Sequence, residues 1–263
     1  MNSKDDIKKK LQLFQNQNYH AYPLGEVRIN KYLSLCGIGS RREVEEYILQ
    51  GKVLINGVPI KDLSYKVKKT DLVILDGKRI RPIANHIYIA VNKPKEYLVS
   101  KKRFNSKEKL VYDLIPENIK KQYHLGYAGR LDKNSRGLVI LSSDGIFLYH
   151  LTQPKYKVLK KYYVQLDDSL TLYDFNLLTG KGVIENGERL RAISIQTKDA
   201  KNNIYEVVLM EGKKRHIRRM FNALLYEVID LYRYAIGNFS LEEFIIPEGE
   251  YKEFDPSLVW KDS

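Results

Sequence analysis

The sequence predicts an α+β protein in which a small αα-β unit precedes a larger domain with a mostly antiparallel, mixed sheet. Two short helical patterns and then several short strand patterns fill residues 26–81, whereas longer strand and helix patterns begin at residue 86. In this larger part, strands and helices do not alternate strictly, which argues against a doubly wound fold. No run of about 18 apolar residues occurs, so no membrane span is predicted.

These patterns predict three parts: a basic, flexible tail over residues 1–24, the small unit over 25–82 and the larger domain over 86–255. Arg81–Asn85 is the predicted linker. The tail has neither an apolar run nor a small-residue cleavage site, so it is not a secretory signal.

The composition points to an anionic partner. The net charge is +13, from 45 Lys and Arg against 32 Asp and Glu. Nucleic acid is the leading partner for such an excess, and an anionic membrane surface is the other candidate. The histidines are scattered without zinc-ligand spacing, so no metal site is predicted. The single cysteine, Cys36, suits a reducing cytoplasm and is predicted to be a core residue.

The helices of the small unit follow from spacing and capping. Ile29, Leu33 and Cys36 recur at helical spacing and predict a first helix. Ser40 and Glu43 then form a capping-box pattern that opens a second helix. This helix buries one apolar face and ends at a glycine. The residues of that face are Val44, Tyr47 and Ile48, and the glycine is Gly51.

Short strands complete the small unit. Val53–Ile55 and Val58–Ile60 flank the turn Asn56–Gly57, which predicts a hairpin. A further strand, Leu72–Leu75, leads into the turn Asp76–Gly77.

Three cations surround the second helix. Arg41 and Arg42 stand at its start and Lys52 just past its end. Backbone amides at a helix start, together with guanidinium groups, can bind a phosphate. The alternative is that these cations face solvent and are balanced by neighbouring glutamates.

The small unit carries a recognisable motif. It consists of Val27 to Leu33, Gly39-Ser40-Arg41-Arg42-Glu43, Ile48 and Gly51-Lys52-Val53-Leu54-Ile55-Asn56-Gly57. With these residues the unit resembles an S4 RNA-binding domain over nearly its whole length. The resemblance implies binding to structured RNA, usually through the helix pair, and does not by itself imply catalysis.

The larger domain is predicted to alternate irregularly between strands and helices. Strands are predicted over residues 87–91, 138–141, 161–166, 189–196 and 204–210, and helices over 146–151 and 215–225. The last helix is amphipathic, with Ile217, Phe221 and Leu224 on its buried face.

One loop is the best candidate for chemistry. Residues 129–138 are dense in glycine and polar residues and lie between two apolar runs, so the loop can present an acid above a sheet. Asp132 is flanked by Arg130, Lys133 and Arg136, and nearby cations keep a carboxylate ionised, as a nucleophile or base requires. The alternative is that Asp132 caps the turn or pairs with Arg130.

Two further segments are candidates. Arg218 falls near the buried edge of its helix, where a half-buried arginine needs an anionic partner. Its neighbours Lys213, Lys214, Arg215 and Arg219 are explained equally well by phosphate contact or by solvation. Strand alternation places Tyr162 and Tyr163 on opposite sheet faces, so one ring could stack on a base while the other packs as an ordinary strand residue.

The order of motifs in the larger domain is specific. Asn92-Lys93-Pro94 comes first, followed by Gly129-Arg130-Leu131-Asp132 with Ser135-x-Gly137-Leu138, then Lys160-x-Tyr162, Gly212 to Phe221, Leu231-x-Arg233 and Gly237. This series is similar to that of the RsuA/RluB family of ribosomal RNA pseudouridine synthases. With the S4 unit in front, the resemblance extends over residues 27–241.

The resemblance implies a cofactor-free enzyme that flips a uridine out of ribosomal RNA and isomerises it to pseudouridine. It implies Asp132 as the catalytic aspartate, Arg218 as the arginine that pairs with it, and Tyr162 as the ring that packs on the base. Leu231 would line the uracil pocket. Arg130, Lys160, Arg215 and Arg219 would contact phosphates or support loops. Three residues depart from the family's usual choice: His216 replaces Gln, Lys213 replaces Arg and Glu96 replaces Gly.

Other functions remain open on the sequence. The chain could be a non-catalytic S4-domain ribosome-assembly protein, an RNA-directed glycosidase, or a synthase acting on transfer RNA. Within ribosomal RNA, or a ribosomal subunit precursor, a 23S target is slightly favoured over a 16S target. A cytoplasmic monomer is expected.

Overall fold

The computed structural model describes residues 26–83 and 85–260, so the predicted tail over 1–24 lies outside the described residues. Contacts divide the chain into two units. The first unit extends to Ile87 and includes residues 117–126 and 142–145, and the second unit contains the rest. The domain boundaries at 25–82 and 86–255 stay a prediction.

Two helices of the first unit form where spacing and capping predict them. They are α1 (Ile29–Leu35) and α2 (Glu43–Leu49); a third helix, α3 (Glu117–Gln122), was not predicted. Before α2, Ser40 N donates to Glu43 Oε2 at 2.8 Å and Glu43 N donates to Ser40 Oγ at 3.3 Å, so the predicted reciprocal bonds are present. Cys36 packs against the core of this unit, and burial raises the pKa of its thiol to about 12.

The strands of the first unit form two small sheets. Asn56 and Gly57 both have positive φ, as the predicted hairpin turn requires, and Asp76 and Gly77 repeat this geometry. The strands are β1 (Val27–Arg28), β2 (Val53–Ile55), β3 (Val58–Pro59), β4 (Lys66–Val67), β5 (Val73–Leu75) and β6 (Lys78–Arg79). A pair joins β1 to β4, and the second sheet has the order β3-β2-β5-β6.

The second unit is built on a mixed sheet that is mostly antiparallel, as predicted. Its strands are β7 (Tyr88–Lys93), β10 (Gly126–Ala128), β11 (Arg136–Ser142), β12 (Lys160–Leu166), β15 (Ser194–Asp199), β16 (Ile204–Leu209), β17 (Val228–Ile236), β18 (Phe239–Ser240) and β19 (Tyr251–Glu253). The main path of the sheet has the order β15-β16-β12-β17-β11-β7-β19, with β10 paired to β11 and β18 to β17. The pair β11–β17 is parallel.

Helices and two small strand pairs flank this sheet. The pairs are β8 (Tyr97–Leu98) with β9 (Lys109–Leu110), and β13 (Val183–Glu185) with β14 (Glu188–Leu190). The helices are α4 (Gly145–Thr152), α5 (Leu172–Thr179) and α6 (His216–Asn222).

Two predictions need correction. The strand predicted over 189–196 is two strands, β14 and β15, because the chain changes partners: β14 pairs with β13, whereas Ile193 N already bonds to Val208 O at 2.8 Å. The helix predicted over 215–225 spans only His216–Asn222, since Leu225 has a φ of 67°. Leu224 is therefore only partly buried, while Ile217 and Phe221 are buried as predicted.

Across residues 26–83 and 85–260, no helix is both long and apolar enough to cross a membrane.

Candidate active site

Asp132 lies in the loop between β10 and β11, at the edge of a cavity of about 720 Å³ in the second unit. The loop turns tightly: Gly129 has a φ of 72°, and Ser135 N donates to Asp132 O at 3.1 Å. The Asp132 side chain is partly exposed. A cavity of this size is within the range of small-molecule pockets and has room for a nucleotide.

The charged side chains that line the cavity are almost all cations. Among the described residues that line it, Asp132 is the single carboxylate, against eight Lys and Arg. Such a wall attracts an anionic ligand such as RNA. The eight are Arg130, Lys133, Lys160, Lys213, Lys214, Arg215, Arg218 and Arg233.

One face of the sheet provides the apolar part of the wall. Tyr162 is 7% exposed and Leu231 is 6% exposed, and both line the cavity. Tyr162 on β12 is the cross-strand partner of Arg233 on β17. Tyr163 points to the other sheet face, as alternation predicts, and stacks on Tyr234 with ring centroids 4.4 Å apart.

Arg218 interacts with the charge of Asp132 without a direct ion pair between the two side chains. Its guanidinium donates to Val228 O at 2.7 Å, to Asn134 O at 3.3 Å and to Ser135 Oγ at 3.5 Å. No ion pair within 4 Å joins it to Asp132 in the described chain. Burial lowers the pKa of Arg218, Arg215 lowers it further, and the charge of Asp132 opposes this. Arg218 thus braces the Asp132 loop through the backbone and Ser135.

The Asn92-Lys93-Pro94 segment also braces this loop. Lys93 is fully buried, and its ammonium donates to Pro94 O at 2.7 Å, Tyr97 O at 2.8 Å and Lys133 O at 3.4 Å. Glu96 N donates to Lys133 O at 2.9 Å, and the Glu96 carboxylate pairs with Lys133 Nζ at 3.0 Å. Glu96 has a φ of 69°, a conformation that glycine adopts without strain. Glu96 therefore stands at a left-handed turn where the family usually has glycine, and its side chain adds an ion pair with Lys133.

A buried cation, Arg233, and a partly buried one, Lys160, lie in the wall near Tyr162. Arg233 is 3% exposed; its Nε donates to Leu138 O at 2.8 Å, while Nη2 is buried without a hydrogen-bond partner. Lys160 donates to Val158 O at 2.8 Å. Burial and the nearby Arg233 lower the pKa of Lys160 to about 8.

The remaining predicted residues fall in different places. Arg130 and Arg215 are exposed and line the cavity. Arg219 does not line it; its guanidinium pairs with Glu185, and with Glu188 at 2.6 Å. The cations predicted in the S4 unit are exposed residues of the first unit; they are Arg41, Arg42 and Lys52.

Three residues of the site were given no role by the sequence. Lys93 and Arg233 stand within the motif series, but only the structure shows that both are buried. Phe104 is 85% exposed and lines the cavity from a basic loop. An aromatic residue within a run of lysines was the available signal for Phe104.

His216 is buried in the cavity wall, and burial lowers the pKa of its imidazole. The ring is therefore neutral near pH 7 and adds no charge to the wall.

Comparison with known proteins agrees with this geometry. Residues 87–223 match the family model described as RNA pseudouridylate synthase, and residues 27–73 match the S4 domain model. A solved structure described as a pseudouridylate synthase superposes with a TM-score of 0.63 at 26% identity, covering 89% of this chain and 98% of that one.

Curated relatives cover the chain to a similar extent. An RNA pseudouridine synthase of Aquifex aeolicus is 33% identical over 88% of this chain and 91% of its own length. The ribosomal small subunit pseudouridine synthase A of Vibrio cholerae is 30% identical over 89% of this chain and its full length. The ribosomal large subunit pseudouridine synthase B of Bacillus subtilis is 28% identical over 88% and 93%. The chain therefore belongs to the RNA pseudouridylate synthase family and carries an S4 domain at its N-terminal side.

Proposed function

We propose that this chain isomerises a uridine of ribosomal RNA to pseudouridine, with Asp132 as the essential carboxylate and with no cofactor. The observation that carries the proposal is the isolation of Asp132 as the one acid in a cationic cavity whose apolar wall includes Tyr162. Two of the relatives named above are a small-subunit and a large-subunit ribosomal pseudouridine synthase, so the proposal names ribosomal RNA of either subunit. Such a substrate places the reaction in the cytoplasm, and we propose that the chain acts as a monomer.

The reaction exchanges one bond to the ribose for another. The C1′–N1 bond breaks and its electron pair leaves with uracil; C5 then bonds to C1′, C5 loses its proton to a base, and N1 gains one. Because atoms and electrons balance within the nucleotide, no oxidant, reductant or second substrate is needed. Asp132 can attack C1′, attack C6 of the ring, or remove the C2′ proton, and each of these routes requires an ionised carboxylate.

The target base must leave its stack before Asp132 can reach it. The Tyr162 ring and the Leu231 side chain offer an apolar surface for the flipped base, and stacking on an aromatic ring is worth about 1–3 kcal/mol per base. Arg218 would keep the Asp132 loop in place through its bonds to Asn134 and Ser135.

The RNA backbone would contact the exposed cations. Arg130 and Arg215 lie at the cavity, and Arg41, Arg42 and Lys52 are exposed on the S4 unit. We leave Arg219 out of this set, because two glutamates already compensate its charge.

The decisive test of the proposal is Asp132→Asn, which keeps the shape of the side chain and removes its charge. We expect turnover on ribosomal RNA to be abolished while RNA affinity changes less than about threefold, since one of many charges near the RNA is lost. Residual activity within tenfold of wild type would show that Asp132 is not essential.

Pseudouridine mapping supplies the activity measurement. Ribosomal RNA from cells with and without the gene is labelled with carbodiimide (CMC) and read by primer extension. One stop should vanish in the deletion and return with wild type but not with Asp132→Asn. Stops that change only in transfer RNA would redirect the proposal to that substrate, and released uracil without pseudouridine would identify a glycosidase.

A further inference from the structure

The wall of the Asp132 cavity contains a buried positive charge that the chain itself does not neutralise. Arg233 is 3% exposed, and among the described residues no carboxylate lies within 4 Å of its guanidinium. Its Nη2 lacks any hydrogen-bond partner. An arginine buried in this way costs stability unless an anion completes its hydrogen bonds, and such exceptions cluster at functional sites.

A second cation, the partly buried Lys160, lies near the first. The Lys160 ammonium has one carbonyl partner, Val158 O, and the charge of Arg233 is near enough to disfavour its protonated form. The same guanidinium also disfavours the protonated form of Lys93 behind the Asp132 loop. Two cations that repel each other in the cavity wall are stabilised together by one anion between them.

The position of Arg233 shows which part of the nucleotide it would contact. It is the direct cross-strand partner of Tyr162, and side chains opposite each other in an antiparallel pair have Cβ atoms about 5 Å apart. Leu231 lies two residues away on the same sheet face and lines the same cavity. Arg233 therefore lies at the base-binding end of the cavity, whereas the exposed Arg130 and Arg215 suit the phosphates.

The reaction supplies an anion at this end. When the C1′–N1 bond breaks, the electron pair leaves with uracil, which becomes an anion with its charge shared by N1, O2 and O4. Adjacent N1 and O2 form a planar pair of acceptors like the two oxygens of a carboxylate. This pair matches the fork of a guanidinium.

We propose that Arg233, assisted by Lys160, binds the detached uracil as an anion and so stabilises the leaving group of the isomerisation. The inference rests on the proposed function. It adds a base-directed catalytic role for Arg233, separate from the backbone bracing by Arg218 and the nucleophile or base role of Asp132. The two cations hold the anion while it turns and are released from it when C5 bonds to C1′.

The experiment measures binding of a pyrimidine anion to the purified full-length protein. The probe is 5-nitrouracil, whose nitro group makes the ring an anion at neutral pH, and uracil, the parent ring without the nitro group, is the neutral comparison. Affinities come from equilibrium dialysis, with inorganic phosphate as a competitor. We expect wild type to prefer the anionic ring by about tenfold or more, as charge-assisted hydrogen bonds predict.

The variants distinguish loss of positive charge at Arg233 and Lys160 from a general loss of structure. Arg233→Gln and Lys160→Met should each reduce the preference for the anionic ring, whereas Arg233→Lys should retain part of it. Lys198→Met, the same change at an exposed lysine outside the cavity, should leave it unchanged. Asp132→Asn should increase it, because a like charge is removed from the cavity. Circular dichroism confirms that each variant is folded, and Lys160→Met remains informative if Arg233→Gln is not.

Three results would overturn the inference. The first is that wild type binds the two rings equally or binds neither measurably, and the second is that both Arg233→Gln and Lys160→Met keep the wild-type preference for the anionic ring. The third is that phosphate no longer competes in Arg233→Gln while the preference for the anionic ring is retained. The last result would assign Arg233 to an RNA phosphate. Failure of the proposed function looks different, since wild type would then form no pseudouridine whatever its preference between the rings.

Discussion

At the scale of single residues, the site depends on polar groups placed where burial is costly. Lys93 is fully buried, yet its ammonium is surrounded by backbone carbonyls and contributes to fixing the Asp132 loop through Lys133 O. Burial, and next the charge of Arg233, lower the pKa of Lys93 to about 8. The chain accepts this cost at the loop that carries its candidate catalytic acid, where a displacement of the carboxylate would reduce activity.

The pKa of Lys93 predicts a pH dependence of stability. Because the folded pKa lies below the ordinary value of 10.5, the unfolded chain binds more protons between about pH 8 and 10.5. In this window Lys93 makes the free energy of unfolding rise with pH, by at most about 3 kcal/mol. Urea unfolding across the window should give a flatter pH dependence for Lys93→Met than for wild type. Identical slopes would contradict the prediction, and Lys198→Met is the control.

At the scale of elements, the parallel pair β11–β17 connects the Asp132 loop to the cavity wall that contains Leu231 and Arg233. Gly137, five residues after Asp132, pairs with Arg233 and has a φ of 110°. A Cβ at Gly137 would lie 2.3 Å from Arg233 O, which is backbone and has little room to move. The glycine is therefore needed for the two strands to come together, and its requirement is steric as well as conformational.

Gly137→Ala tests this close approach. We expect a loss of about 2–4 kcal/mol in the free energy of unfolding, because either the strand pair separates or the backbone becomes strained. Gly145→Ala is the matched control, since a Cβ there meets nothing within 4 Å. Equal thermal stability of the two variants would show that the pairing tolerates a side chain.

The arginines at the start of helix α6 and within it have different surroundings. Arg215 is exposed beside the cavity, whereas Arg219, one turn later, ties the helix to the β13–β14 hairpin through Glu185 and Glu188. Equal charge along a short helix therefore does not mean equal availability to RNA.

A pair of single variants checks this division. Arg215→Ala should lower the slope of log affinity against log salt by about 0.7–0.9, the value for one phosphate contact. Arg219→Ala should leave that slope unchanged and lower the melting temperature instead. Filter binding to ribosomal RNA at several salt concentrations measures the slopes, and a reversed order of the two effects would refute the assignment.

At the scale of the whole molecule, the cations behind the net charge of +13 form different groups in the two units. In the second unit, cations gather around one carboxylate in the wall of a cavity. In the first unit, Arg41 and Arg42 are exposed at the start of a helix whose capping bonds are in place. We interpret the first as the place of chemistry and the second as a docking surface for the same RNA.

The double variant Arg41→Glu with Arg42→Glu tests the docking surface. It should weaken RNA binding and lower the salt slope by about 1.5 to 2, as expected when two phosphate contacts are lost. Lys68→Glu with Lys69→Glu makes the same change in charge at exposed residues of the same unit and controls for long-range electrostatics. A salt slope equal to that of the control would show that the helix start does not touch RNA.

Local sequence patterns predicted those secondary-structure elements that depend on nearby residues, whereas the long strand β17 and helix α3 were not predicted. The reciprocal bonds of Ser40 and Glu43, the Asn56–Gly57 turn and the opposite faces of Tyr162 and Tyr163 all follow from neighbours in the chain. Helix α5 was missed although it carries a similar signal, since Thr171 Oγ1 accepts from Asp174 N at 3.1 Å.

The sequence alone determined the α+β class, the S4 unit and the loop that carries Asp132, because each rests on short-range periodicity or an ordered set of motifs. Only the tertiary structure decided which charges are satisfied. Arg219 finds its two glutamates more than 30 residues away, and Arg233 comes beside Tyr162 across a strand pair, buried and without an acid. Burial and ion pairing depend on residues distant along the chain, so no local pattern could distinguish a compensated arginine from one that awaits an anion.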